Sequence, residues 1–119
     1  MQSQRMVLKS ICLNKVIVAT SFYQRLRGWY GYHATQVDGV LLTKCNAVHT
    51  LAMQMRLDII WLDQAYTCIR VELDVPPWRV KWCRAARHVL ELPSWQRSAG
   101  RRSPSNLIGQ SLLRFSTRE

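Results

Sequence analysis

The sequence predicts a mainly β (α+β) domain: a small barrel or sandwich of about seven strands with one or two short helices. Short apolar runs rich in β-branched residues recur along the chain, and polar or proline-containing segments separate them. No internal repeat or heptad pattern competes with this interpretation. A chain of 119 residues is long enough to bury a core without a metal or disulfide staple.

The predicted elements follow the chain in order. Asn14-Lys15 is expected to turn between two apolar patches, and Ser21 with Gln24 forms a capping box that predicts a short helix ending near Gly28 or Gly31. The strand signals then lie at residues 16–19, 40–42, 45–55, 59–62, 67–73, 88–92 and 107–113. The strands at 59–62 and 67–73 are expected to pair as a hairpin.

Two connecting segments are expected to lack regular strands. Pro76-Pro77 should break any element, so that Trp78 to Trp82 follow in a loop or a single helical turn. Residues 94–106 are rich in Arg, Ser, Gly and Pro and are expected to form a mobile basic loop.

Within residues 45–55, alternate positions share one face if the segment is a continuous strand. The face expected to look inward comprises Cys45, Ala47, His49, Leu51, Met53 and Met55. Cys45 and His49 would share a face on a strand or on a helix, because they are four residues apart.

The composition is that of a folded, soluble domain. Hydrophobic residues make up 48% and charged residues 20%, which excludes a typical disordered chain. We expect one domain over residues 1–119, with its core at about residues 16–113 and a flexible N-terminus and C-terminal tail. The apolar stretch near the N-terminus is interrupted by Asn14 and Lys15, so it predicts neither a signal peptide nor a transmembrane segment.

The chain is strongly basic. Seventeen Lys and Arg against seven Asp and Glu give a net charge of +10 and a pI near 10.2. Such a surface favours polyanions, including nucleic acid, an anionic membrane surface or an acidic protein, although the same charge can serve solubility alone.

Four cysteines lie more than ten residues apart and form no C-x-x-C pair. They are Cys12, Cys45, Cys68 and Cys83. With no oxidising compartment indicated, they are expected to be reduced thiols in a cytoplasmic, bacterial protein.

Several short motifs occur along the chain in a characteristic order. They are Ala19-Thr20, Arg25-Leu26-Arg27-Gly28, Cys45-x-x-Val48-His49-Thr50, Leu57-Asp58-Ile59-Ile60-x-Leu62-Asp63, Pro77-x-Arg79 and Val89-Leu90-Glu91-Leu92-Pro93. Together they resemble the bacterial and archaeal domain-of-unknown-function family 192, over approximately residues 16–113. The resemblance implies the compact, mainly β domain described above and no established activity. Trp95 and Gln110 depart from the family's usual Gly and Gly-Asp at these places.

Cys45 and His49 are the first candidates for a functional site. As zinc ligands they would need two further donors, and none of the remaining Cys or His residues stands at a recognised spacing, so no metal or other cofactor is predicted. As nucleophile and base they would need Asp58 to orient the imidazole, but Asp58 could equally cap a turn before the next strand.

The aromatic and basic residues suggest two further kinds of site. Trp29 and Trp78 could line a ligand cleft or plug the end of a barrel. Cations that could bind a polyanion are Arg79, Lys81, Arg84, Arg87, Arg97, Arg101 and Arg102. If residues 79–87 were helical, Lys81, Arg84 and Arg87 would lie near one face.

The function predicted first is a non-enzymatic small-ligand or partner-binding β domain, with a cleft lined by Cys45, His49, Thr50 and nearby aromatic residues. The alternatives are a nucleic-acid or acidic-protein adaptor and a thiol-dependent hydrolase or transferase that uses Cys45. The sequence predicts no particular ligand, partner or oligomeric state.

Overall fold

The computed structural model describes residues 2–9, 11–20, 29, 37–51, 53–98 and 107–115. The strands in this part of the chain are β1 (Gln2–Leu8), β2 (Ile11–Ala19), β3 (Gly39–Thr43), β4 (Ala47–His49), β5 (Leu57–Leu62), β6 (Cys68–Val75), β7 (Val80–Trp82), β8 (His88–Pro93) and β9 (Leu112–Phe115). One short helix, α1 (Ser94–Ser98), follows β8. The predicted mainly β fold is confirmed.

Seven strands form one sheet in the order β6-β5-β8-β3-β2-β1-β9, and β4 pairs with β7 in a separate two-stranded sheet. Neighbouring strands are antiparallel except β2 and β3, which are parallel. A parallel pair needs a long crossover, and residues 20–38 provide it. The predicted hairpin of residues 59–62 with 67–73 is confirmed as β5–β6.

The large sheet curls into a half-barrel whose two edge strands meet at one end. Thr67, just before β6, forms an isolated bridge with Ser111, just before β9. The Cys68 N–H donates to Gln110 O at 2.8 Å, and the Leu112 N–H donates to Tyr66 O at 2.9 Å. These bonds join the edges that an open sheet would leave unpaired.

Each face of the curled sheet carries its own hydrophobic cluster. The inner cluster draws residues from all seven strands, including Met6, Val16, Leu41, Ile60 and Leu90. The outer cluster lies beneath the two-stranded β4–β7 sheet and includes Ile17, Val40, Ile59, Trp61, Val48 and Trp29. Because β5 and β8 lie between the two clusters, every residue of both strands is buried, as the unbroken apolar run in β5 predicts.

The turn predicted at Asn14-Lys15 was wrong. Both residues lie inside β2, and the chain reverses instead near Lys9, whose φ is 57°. The Asp38 carboxylate accepts hydrogen bonds from the backbone N–H groups of Asn14 and Lys15 at 2.7 and 3.0 Å. The side chain of Asp38, distant in sequence, thus accepts the backbone hydrogen bonds at the place where the sequence suggested a turn.

The continuous strand predicted over residues 45–55 was also wrong, since only Ala47–His49 is a strand. The inward-facing residue there is Val48, which is 7% exposed, whereas Ala47 is exposed and Leu51 is 39% exposed. The chain leaves the strand at Thr50, whose carbonyl accepts hydrogen bonds from the N–H groups of Met53 and Trp78.

Three other boundaries differ from the predictions. Residues 80–82 form strand β7 rather than a loop or helical turn, and the predicted basic loop begins with helix α1. The last strand starts at Leu112 because residues 108–109 turn, with φ of 88° at Gly109. The predicted helix over residues 21–28 lies outside the described residues.

No helix in the described ranges is long and apolar enough to span a bilayer.

Candidate functional site

A cleft of about 580 Å³ opens at one end of the large sheet. Three segments form it: the residues after β3, the turn between β5 and β6, and the residues that lead into β8. They meet because β8 pairs with both β3 and β5, so that His88 lies opposite Thr43 on one side and Leu62 on the other. The lining residues are Lys44, Cys45, Asn46, Gln64, Ala86, Arg87 and His88.

Backbone hydrogen bonds fix the walls of the cleft. The Cys45 N–H donates to Arg87 O at 2.8 Å, and the Arg87 N–H donates to Leu62 O at 2.8 Å. Lys44 has a φ of 53°, and its N–H donates to the Nδ1 atom of His88 at 3.0 Å. Backbone hydrogen bonds therefore tie the three segments to one another, and the His88 ring adds a bond to Lys44.

His88 is held as a neutral ring. Its imidazole stacks on Tyr66, with ring centroids 4.1 Å apart and planes 2° from parallel. Desolvation lowers the pKa of His88, the charges of Arg114 and Lys44 lower it further, and Asp63 partly opposes them. Because Nδ1 accepts the Lys44 N–H, the neutral ring carries its proton on Nε2, which is then a hydrogen-bond donor.

The lining of the cleft is electropositive and rich in donors. It includes the cations Lys44 and Arg87 and the amides Asn46 and Gln64, and none of the seven lining residues is a carboxylate. This combination favours an anionic ligand.

Cys45 contributes a thiol to the wall of the cleft. Its side chain is partly buried, and Sγ donates to Ala47 O at 2.9 Å. Only the protonated thiol can make this bond, so the contact favours the thiol over the thiolate that nucleophilic attack requires.

The other residues predicted to join Cys45 lie elsewhere. His49 is in β4 opposite Val80 and does not line the cleft. Thr50 is fully buried, where its Oγ1 donates to Pro76 O at 2.7 Å and accepts from the Arg79 N–H at 2.9 Å.

Asp58 also has a buried structural environment. It lies in β5, and its Oδ1 accepts hydrogen bonds from Ser94 Oγ at 2.7 Å and from the Asp74 N–H at 3.0 Å. Of the aromatic candidates, Trp29 is 3% exposed in the outer cluster and Trp78 is 66% exposed at the surface. The six predicted ligand-binding residues therefore do not form one cleft.

The predicted polyanion-binding cations are dispersed. Arg87 lines the cleft, Lys81 pairs with Glu72 at 3.7 Å, and Arg79 and Arg84 are exposed. Because residues 80–82 form a strand, the helical face proposed for Lys81, Arg84 and Arg87 does not exist. Arg97 lies in α1, and Arg101 and Arg102 lie outside the described residues.

Sequence reasoning missed Lys44, Asn46 and Gln64 as lining residues and did not place His88 beside Cys45. Each of them lies at the end of a predicted strand, so their proximity depends on strand order, which a single sequence does not reveal. Within the described ranges, no group of three His, Cys, Asp or Glu residues is placed to hold a metal ion.

Comparisons with known proteins support the fold. A family model for DUF192, described as an uncharacterized ACR, matches residues 6–99. A crystal structure from Sinorhizobium meliloti, of a protein described as a candidate transcription regulator, has a TM-score of 0.71 at 20% identity and covers 94% of this chain and 92% of its own. A protein of unknown function from Novosphingobium aromaticivorans has a TM-score of 0.63 at 10% identity, with coverages of 95% and 93%. A search of curated proteins gives no match.

Proposed function

The chain belongs to the DUF192 family, which is described only as uncharacterized, and we propose from the geometry of the cleft that this protein binds a small anionic molecule without converting it. The observation that carries the proposal is the lining of the cleft, in which two cations and two amides surround about 580 Å³ and none of the lining residues is a carboxylate. A volume in this range suits a metabolite-sized ligand.

The lining residues have distinct roles in this proposal. The planar guanidinium of Arg87 can donate two parallel hydrogen bonds to a carboxylate or phosphate, and the Lys44 ammonium adds a second positive charge. Asn46 and Gln64 can bind neutral polar atoms of the ligand. His88 supplies an Nε2–H donor from a ring already fixed by Tyr66 and by the Lys44 N–H.

The contact made by Cys45 favours binding over catalysis. A thiol-dependent hydrolase needs a thiolate and a base beside it, whereas the Cys45 Sγ proton is directed to Ala47 O. We therefore assign Cys45 to the wall of the cleft rather than to a nucleophilic role.

Calorimetric titration with inorganic phosphate and with citrate tests the proposal at constant ionic strength. We expect binding by the unaltered protein and a loss of about tenfold in affinity for Arg87→Gln, because a charge-assisted hydrogen bond contributes roughly 1.5–3 kcal/mol. Arg84→Gln is the matched control, since Arg84 is exposed in the same turn but does not line the cleft. Failure of both probes to bind, or equal effects of the two substitutions, contradicts the proposal.

A Cys45→Ser variant separates binding from catalysis. We expect it to bind phosphate and citrate as the unaltered protein does, within about twofold. If the unaltered protein hydrolyses p-nitrophenyl acetate with turnover and Cys45→Ser does not, the thiol-dependent alternative replaces the present proposal.

A further inference from the structure

Strand β7 and the residues just before it present large apolar side chains to solvent. Trp78 is 66% exposed, Val80 56% and Trp82 68%. We call these three residues the Trp face. Tryptophan and valine are usually at least half-buried, and a group of them at the surface indicates an interaction site.

The register of the β4–β7 pair explains the exposure of Val80 and Trp82. Val48 lies opposite Lys81 and is buried in the outer hydrophobic cluster. Val80 and Trp82 flank Lys81 in β7, so they point away from that cluster and are exposed. Trp78 precedes β7, and its exposure follows from its own backbone conformation.

Trp78 is held in its exposed position against a conformational cost. Its φ of 67° lies in the left-handed region, which a bulky residue rarely adopts. Two hydrogen bonds to Thr50 maintain it: the Trp78 N–H donates to Thr50 O at 2.9 Å, and the following Arg79 N–H donates to Thr50 Oγ1 at 2.9 Å. Backbone strain of this kind concentrates at functional sites.

The charge around the Trp face is mainly positive. Residues 76–88 contain four cations and no Asp or Glu: Arg79, Lys81, Arg84 and Arg87. The carboxylate of Glu72 lies beside Val80 and Trp82, and it pairs with Lys81 and Arg70 at 3.7 and 3.6 Å. Arg79 and Arg84 are exposed and available to a negatively charged partner.

We propose that the Trp face binds single-stranded nucleic acid, with bases stacked on Trp78 and Trp82 and phosphates contacted by Arg79 and Arg84. The exposed rings of Trp78 and Trp82, with exposed cations nearby at Arg79 and Arg84, provide the stacking surfaces and positive charge that such ligands need. A bilayer would require a larger apolar surface than these three side chains form. An acidic peptide would use the charges but not two separate ring faces.

This surface is distinct from the cleft. None of Trp78, Val80 or Trp82 is among the residues that line the cleft. Arg87→Gln therefore tests the cleft, and Trp78→Ala and Trp82→Ala test the Trp face. Failure of one proposal leaves the other testable.

Fluorescence anisotropy with labelled oligo-dT and oligo-U of about 12 nucleotides tests the proposal with the full chain. Trp78→Ala and Trp82→Ala should each weaken binding by about tenfold, and Trp82→Phe should recover most of the loss because phenylalanine also stacks. Leu113→Ala is a control for the loss of an exposed apolar side chain, since Leu113 is 56% exposed on β9. Circular dichroism confirms that each variant is folded.

Salt dependence tests the role of the cations. Between about 50 and 200 mM NaCl, binding should weaken steeply, and Arg84→Gln should reduce the slope of log K against log[salt] by about one. Arg5→Gln, which removes an exposed cation of β1, should leave the slope unchanged. Comparing oligo-dT with oligo-U distinguishes DNA from RNA as the preferred ligand.

Three results overturn the proposal. The first is no oligonucleotide binding at about 50 mM NaCl. The second is binding that persists in Trp78→Ala and Trp82→Ala, which would reflect only the net charge of +10. The third is binding of poly-glutamate, or of vesicles containing phosphatidylserine, that is as tight as oligonucleotide binding and also depends on Trp82. That result would identify the Trp face as a peptide or membrane site instead.

Discussion

At the scale of single residues, the most unusual side chain is Glu91, a carboxyl group in the middle of the central strand. It is 4% exposed and lies between Val40 of β3 and Ile59 of β5, both of which belong to the outer hydrophobic cluster. Desolvation raises its pKa from 4.5 to about 8. Glu91 is therefore protonated at neutral pH in the folded protein.

The protonation of Glu91 predicts a stability that depends on pH. Between pH 4.5 and about 8 the unfolded chain has lost the Glu91 proton while the folded chain retains it, so stability is greatest below pH 4.5 and falls as pH rises to about 8. The Glu91→Gln variant should lack this pH dependence, which amounts to a change of up to about 5 kcal/mol in the free energy of unfolding across the window. Urea denaturation at several pH values measures it, and parallel curves for the two proteins would contradict the prediction.

His88 opposes this trend at lower pH. The pKa of His88 is lowered from 6.5 in the folded state. Its contribution to folding stability is therefore fully present above pH 6.5 and is lost as pH falls through the pKa of the folded state. The Glu91 effect is therefore clearest between pH 6.5 and 8.

At the scale of secondary-structure elements, Thr50 joins the end of β4 to the segment that carries Trp78. Its backbone N–H donates to Arg79 O at 2.8 Å, and its hydroxyl bonds to Pro76 O and to the Arg79 N–H. Thr50 itself is fully buried, so its hydroxyl depends on these partners for hydrogen bonding.

Thr50→Val keeps the shape of the side chain and removes these hydroxyl bonds. We expect it to lower the free energy of unfolding by about 2 kcal/mol and to accelerate amide exchange at Arg79. Thr67→Val is the matched control, because the Thr67 hydroxyl contacts Ser111 Oγ at 3.3 Å near the surface. Equal effects of the two substitutions would show that the hydroxyl of Thr50 does not stabilise the contact between β4 and residues 76–79.

The elements that sequence alone predicted well are those with continuous apolar runs. β5 and β8 are buried on both faces, so their patterns do not depend on register. β7 was missed and β4 was predicted too long, because their boundaries are determined by contacts between Thr50 and residues 76–79, far apart in sequence. For the same reason Cys45 was identified as a candidate, but its neighbour His88 was not: the pairing of β3 with β8 brings them to one cleft.

At the scale of the whole molecule, contacts between the two edge strands of the half-barrel enclose the inner cluster. β9 pairs with β1 along one edge, and the residues before it bond to the start of β6. Arg114 of β9 donates to the Tyr66 hydroxyl at 3.1 Å and lies over the Tyr66 ring at 5.5 Å. Because Tyr66 stacks on His88, the closing strand also supports the wall of the cleft.

Two adjacent residues of β9 test whether this closure stabilises the whole domain. Leu112 is 5% exposed in the inner cluster, and Leu113 points the other way and is 56% exposed. Leu112→Ala should lower the free energy of unfolding by about 3 kcal/mol, and Leu113→Ala by less than about 0.5 kcal/mol. If β9 is an integral strand, the urea transition of Leu112→Ala shifts with an unchanged slope, because one cooperative unit still unfolds. A biphasic transition, in which β9 detaches before the remaining sheet unfolds, would show instead that the other six strands of the sheet are stable without β9.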